Sequence, residues 1–360
     1  MRAAVFRRGE IVVDTLPDPV PAEGQVLVRT RACGICGSDL HAARFTDSFV
    51  DVARRSGGRY TMTADRDVVF GHEFVAEVVA NGPGTAGRFP PGTLVTSMPL
   101  TLTGTTVHGI GYNPDIAGGF AEYMPLAERM LLPVPDGMDP DHAALVEPMA
   151  VGEHAVEEAR LGGEEVALVI GCGPVGLAVI AALRLRGIRP VIAADFSPAR
   201  RALAARMGAD AVVDPAAASP YAALLEAATP PGHDPSRYAQ LFRTSPPRRP
   251  TVLFECVGVP GVLQAMLEGA PPGARIVVVG VCMEPDRIEP FFAIAKQIEL
   301  RFVLAYTPEE FARTLEHIAA GRIAVAPLIT GRVGLDGVRQ AFADLARPEA
   351  QAKILVEPWR

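Results

Sequence analysis

Residues 166–195 leave their backbone few options. An apolar run, VALVIG, leads directly into GCGPVG, with glycines at 171, 173 and 176, and then into the helix-compatible LAVIAALRLRG. A second apolar run, PVIAAD, ends on Asp195, 24 residues beyond Gly171. Strand, tight turn, helix and strand in this order make a βαβ unit whose parallel strands are buried on both faces. The glycines let the backbone approach a pyrophosphate, and the helix N-terminus offers unpaired N–H groups at the positive end of its dipole. A carboxylate about 20 residues further on lies within reach of a ribose hydroxyl. Gly171, Gly173, Pro174, Val175 and Gly176 are therefore the candidate phosphate loop, and a tight turn without a ligand is the bland alternative. Asp195 would repel a 2′-phosphate, so NAD is expected over NADP. Arg200 and Arg201 are the nearby cations that could counter this.

Val166 to Leu183 is also eighteen residues without a charge, close to the length of a membrane span. The glycines and proline inside it would interrupt a single helix, so the buried strand–turn–helix reading uses the same apolarity better.

Further strands are expected at AVVD, TVLFECVG and RIVVVGV, several separated by helical stretches such as ARRALAARMG, as in a doubly wound sheet. The first 130 residues differ. IVVDTLPDPVP, QVLVRTRA, HEFVAEVVANGPG and PPGTLVTSM are short β-branched runs broken by Pro and Gly, which read as a barrel-like all-β region. The tail offers two helices, PEEFARTLEHIAAG and LDGVRQAFADLA, and a last strand, AKILVEP. The Pro-rich 216–250 reads in part as a surface excursion.

A chain of 360 residues with 49% hydrophobic and 21% charged residues is a globular protein of about two domains. Its net charge of −7 argues against nucleic acid or an anionic membrane as partner. Cysteines 33, 36, 172, 256 and 282 are odd in number and scattered, and the N-terminus shows no signal-peptide pattern, so a reducing cytoplasm is expected.

The residues most suggestive of chemistry lie outside the glycine loop. GICGSDLH packs Cys36, Ser38, Asp39 and His41 into six positions. Taken singly, Cys36 reads as a buried hydrophobe and His72, in FGHEF, as a structural histidine. Glu147, in AALVEPMAV, is a carboxylate in an uncharged run and needs a partner. One Cys, one His and one Glu would make an open three-ligand zinc site.

Together, GICGSDLH, GHE, VEP, the glycine loop with Asp195, and ECVG at 255–258 resemble the zinc-dependent medium-chain alcohol dehydrogenases, in particular the sorbitol and threonine dehydrogenase branch. The resemblance implies a two-domain α/β fold, a GroES-like β-barrel catalytic domain plus a Rossmann sheet. The division would be 1–148 catalytic, 149–304 NAD-binding and 305–360 returning to the catalytic domain. It implies one catalytic zinc held by Cys36, His72 and Glu147, with Glu73 as alternative ligand, and Asp39 orienting the histidine. Ser38 would meet the substrate oxygen, His41 would pass the proton outward, and Arg200 would join the cofactor-binding residues. The reaction implied is reversible hydride transfer between an alcohol, secondary or polyol, and NAD, in a homodimer or homotetramer. The edge near Arg275–Val281 would be the pairing edge.

Two departures from the pattern matter. No cysteine occurs between Pro99 and Glu122, where many relatives hold a second, structural zinc, so none is expected. Residues 43–69 form an unusually long insertion, in which Phe49, Val50, Val52 and Ala53 have near-helical spacing. A short helix ended by glycines is expected there, with Phe45 and Phe49 lining the substrate pocket; the bland alternative is a covering loop. A zinc-free quinone or enoyl reductase of the same fold, or a non-catalytic dinucleotide-binding protein, are the competing functions.

Overall fold

The computed structural model describes all residues except 58–60, 243, 245 and 348–350. These fall into two compact units, one comprising Met1–Pro148 and Thr307–Arg360, the other Met149–Tyr306.

The second unit is built on six parallel strands: Val166–Ile170, Val191–Ala194, Ala211–Val213, Thr251–Glu255, Arg275–Val278 and Glu299–Phe302. Their spatial order is third, second, first, fourth, fifth, sixth. The order reverses between the first and fourth strands, and that switch point is where open α/β sheets bind ligands. The sheet interior is apolar because helices cover it; Val166, Leu168, Ile192, Leu253 and Ile276 belong to one buried cluster.

One expectation is corrected here. The strand at Arg275–Val278 is not an edge, because Glu299–Phe302 pairs alongside it in parallel register. The charges in ELRF disguise this short edge strand, whose side chains are only partly covered. Residues 216–250 are an excursion only in part, as expected. They begin with the helix Pro220–Ala228, capped by Ser219, whose Leu224 and Ala228 are buried in the same cluster. Arg243 and Ser245 of that stretch lie outside the described residues.

The first unit centres on Gln25–Gly34, a ten-residue strand that pairs antiparallel with Glu73–Asn81, Tyr123–Ala127 and Lys353–Val356. The register sets Gly34 opposite Glu73 and, on the other side, opposite Leu355. The cysteine-free region holds a small hairpin, Leu100–Thr103 with Thr106–Gly109.

Two helices follow the central strand, Gly37–Arg44 and Thr46–Arg55. The second is the helix expected in the insertion. Ala53 is buried and Phe49 and Val50 pack against the β-domain core, but Val52 faces outward, 43% exposed. Helical geometry explains this: Phe49, Val50 and Ala53 share one face at i, i+1 and i+4, while Val52 is turned away from it. The helix ends on Ser56, followed by Gly57 at φ +67°. Gly58 lies outside the described residues.

Candidate metal centre and dinucleotide loop

The strand Gln25–Gly34 runs out at Ile35, and Cys36 becomes the N-cap of the helix Gly37–Arg44. Asp39 is the third residue of that helix, and its Oδ2 accepts the N–H of Cys36 at 3.0 Å. This reciprocal cap fixes Cys36 at the end of the strand. The other carboxylate oxygen, Oδ1, lies 3.3 Å from His72 Nδ1. A carboxylate at Nδ1 leaves Nε2 as the coordinating nitrogen. Ser38 Oγ is 3.5 Å from that Nε2.

One donor atom each from Cys36, His72 and Glu73 lie within 4.8 Å of one another, the one such group of three among the described residues. Thiolate, imidazole and carboxylate together are a zinc-type donor set, and three protein donors leave a coordination position open. The residues therefore fit a catalytic zinc.

Glu73, the expected alternative ligand, completes the group in place of Glu147. The cause is strand register. Glu73 faces Gly34 across the ladder, where a Cβ would come within 2.1 Å of Glu73 Oε2. Only a glycine leaves room for the carboxylate to fold back over the strand. Lys353 Nζ meets both its oxygens, at 2.7 and 2.6 Å, and donates to Ile35 O at 3.0 Å. Glu147 is buried in the first turn of the helix Val146–Glu158, where Pro148 lacks no needed N–H.

Burial favours a neutral Lys353, but Glu73, Cys36 and Glu147 outweigh it and raise its pKa. Burial likewise opposes charge on His72, yet Asp39 and Cys36 push its pKa well above the ordinary value. His41 differs: burial and then Arg44 lower its pKa. Its ring lies 6.4 Å from that of Phe45, whose face Arg44 covers. Phe49 turns to Tyr112, ring centroids 5.1 Å apart.

Two members of this constellation carry no motif. Tyr112 is 3% exposed and its hydroxyl lies 2.9 Å from both Ser38 Oγ and Asp39 Oδ1. Lys353 did leave a signal, a single cation inside the apolar strand KILV, where burial demands an acidic partner.

In the other unit, Gly171 has φ +91° and Gly173 is the N-cap of the helix Pro174–Leu185. A Cβ on Gly176 would sit 1.8 Å from Gly171 O, so helix and turn can approach only with glycine there. A Cβ on Gly173 would meet nothing nearer than Arg200 Nη1 at 3.9 Å, which leaves the loop face open to a phosphate. Asp195 accepts from Cys172 N at 2.8 Å and from Ser197 N at 2.8 Å, and stands 4.0 Å from Arg200. Arg201 is committed to the carbonyls of 195 and 196 and to Asp214. Across the switch point, Glu255 accepts from the N–H groups of Val257 and Gly258, and burial raises its pKa. These features fit a dinucleotide.

Residues 22–136 match the alcohol dehydrogenase GroES-like domain, and residues 174–320 the zinc-binding dehydrogenase domain. The (R,R)-butanediol dehydrogenase of Bacillus subtilis is 30% identical over 99% of this chain and 100% of its own. The chain belongs to the zinc-dependent medium-chain dehydrogenase superfamily. Its fold is that of the superfamily, a GroES-like domain and a Rossmann sheet. A sorbitol dehydrogenase of Bacillus subtilis is 26% identical over 100% of this chain and 98% of its own. Among solved structures, a zinc-binding dehydrogenase of Sinorhizobium meliloti bound to NADP superposes with a TM-score of 0.78, at 27% identity over 99% of both chains. Members of this superfamily similar to the chain are oxidoreductases acting on alcohols and polyols.

Proposed function

We propose that the protein is a zinc- and NAD-dependent dehydrogenase that interconverts a secondary alcohol or polyol and its ketone. The observation that carries this is the gathering of Cys36, His72 and Glu73 beside Ser38. These three side chains would hold the metal, with Glu147 close by as the alternative carboxylate. A zinc ion there supplies Lewis acidity toward a hydroxyl oxygen, and the nicotinamide supplies the hydride acceptor.

The chain's own residues do the rest. Asp39 holds His72 in the tautomer that exposes Nε2. Ser38 takes the substrate's hydroxyl proton at Oγ as it releases its own proton outward. His41, kept neutral by its lowered pKa, accepts the proton further out. Gly171 to Gly176 and Arg200 bind the pyrophosphate, and Asp195 takes the adenosine ribose hydroxyls. The choice of NAD rests on the Asp195 carboxylate and on Arg201 being occupied; the NADP-bound relative makes this a point to measure.

The chain is further proposed to act in the cytoplasm as a homodimer or homotetramer. The free cysteines and the strand edge Glu299–Phe302, with Phe302 68% exposed, support this. Purified protein assayed with a panel of secondary alcohols and polyols, against NAD and NADP and with metal content determined, tests the reading. Protein that retains no zinc after metal-replete purification would favour the quinone or enoyl reductase alternative, and zinc-bearing protein without turnover the non-catalytic one.

A further inference from the structure

Tyr112 stands at the centre of the Ser38–Asp39–His72 cluster. Its oxygen is 2.9 Å from Ser38 Oγ and 2.9 Å from Asp39 Oδ1. Its ring is fixed among aromatic neighbours, with centroids 5.1 Å from Phe49, 5.9 Å from Phe70 and 5.4 Å from His72. A phenol has one proton and here faces two acceptors. We propose that Tyr112 sets the direction of the Ser38 hydroxyl and thereby makes the site hold an alcohol more tightly than the corresponding carbonyl compound. The inference rests on the reading that Ser38 meets the substrate oxygen.

The carboxylate of Asp39 is the stronger acceptor, since a charge-assisted bond is roughly twice as strong as a neutral one. The Tyr112 proton therefore goes to Asp39, and the phenol oxygen turns a lone pair toward Ser38. Ser38 donates its own proton to that lone pair. What remains on Ser38 Oγ is acceptor capacity, which suits an incoming hydroxyl donor.

A carbonyl oxygen has no proton to give. To serve it, Ser38 must turn its proton away from Tyr112, or Tyr112 must turn its proton from Asp39 to Ser38. Either arrangement forfeits one hydrogen bond in the chain. A net hydrogen bond corresponds to a factor of about three to ten in binding. The insertion has a part in this, because Phe49 of the helix Thr46–Arg55 packs on the Tyr112 ring. Tyr112 is thus a positioning residue acting through Ser38.

The test uses zinc-loaded enzyme with NADH and two non-reacting probes: trifluoroethanol, which keeps its hydroxyl proton beside the uncharged nicotinamide, and isobutyramide, a carbonyl mimic. Dissociation constants are read from nicotinamide absorbance or fluorescence for wild type, Tyr112→Phe, Ser38→Ala and the double variant. Tyr112→Phe keeps the ring, and its zinc content serves as the check on the intact site. The expected result is about three- to tenfold tighter isobutyramide binding, because no Tyr112 bond is left to forfeit, and trifluoroethanol binding within about twofold of wild type. In the Ser38→Ala background, Tyr112→Phe should change neither constant more than about twofold. Equal loss on both probes, or no change on either, overturns the proposal. If Ser38→Ala alone leaves both constants unaltered, the assignment of Ser38 fails as well; altered binding in Ser38→Ala with none in Tyr112→Phe overturns only the role of Tyr112.

Discussion

Lys353 Nζ lies 2.7 and 2.6 Å from the two carboxylate oxygens of Glu73, and both side chains are buried. The last strand of the chain thus supplies the counter-charge to a residue of the metal group. Removing one member of a buried pair leaves the other uncompensated, at about 3–5 kcal/mol. Lys353→Met should destabilise the metal-free protein by roughly that amount in urea unfolding, and Lys353→Met/Glu73→Gln should recover most of it. Zinc should raise the Tm of Lys353→Met more than that of wild type, because the released carboxylate can turn wholly to the ion. Equal zinc-induced shifts would remove Glu73 from the ligand set.

Metal content follows from the donor inventory. About one zinc per chain is expected, because one group of three donors gathers among the described residues. Cys36→Ser should bind less than wild type under the same loading. Elemental analysis returning two zincs per chain contradicts this.

The pH dependence of alcohol oxidation should report His41. Burial and Arg44 lower its pKa from 6.5, so the neutral, proton-accepting form persists at pH 7 and is lost only as pH falls further. The acid limb of kcat/KM should therefore lie below pH 6.5. His41→Gln should abolish that limb and lower the rate by about 10²-fold, the low end for general-base catalysis, with zinc content unchanged. An acid limb that survives the substitution assigns it to another group.

Asp195 is the test of dinucleotide choice. Its oxygens accept the N–H groups of Cys172 and Ser197, so Asp195→Ser loses both bonds as well as the negative charge. The ratio of kcat/KM for NADP to that for NAD should rise by about tenfold or more, equivalent to about 1.4 kcal/mol. A wild type that already prefers NADP refutes this reading of Asp195.

What the sequence makes legible is what it encodes at short range. Gly171, Gly173, Gly176 and Asp195 lie within one βαβ unit, and Cys36, Ser38, Asp39 and His41 within one strand–helix junction. The choice between Glu73 and Glu147 is of another kind. It depends on the register that sets Gly34 against Glu73 and on a lysine 280 positions away, neither of which has a local signature. Tyr112 lies 74 residues from Ser38 in a loop without regular periodicity, so nothing nearby marks it. The edge strand Glu299–Phe302 is missed for a related reason: its mixed charged and apolar side chains follow from being only half covered.

The route of the chain also sets an order of events during its synthesis. The unit that bears the metal group begins at Met1, is left at Pro148, and resumes at Thr307. Ribosomes add about 5–20 residues per second and domains fold as they emerge. Glu73 therefore leaves the ribosome long before Lys353, the cation that neutralises it, which follows 280 residues later. Through that interval the nascent carboxylate lacks Lys353 to fold against, and the metal site cannot take its final form until that strand has emerged.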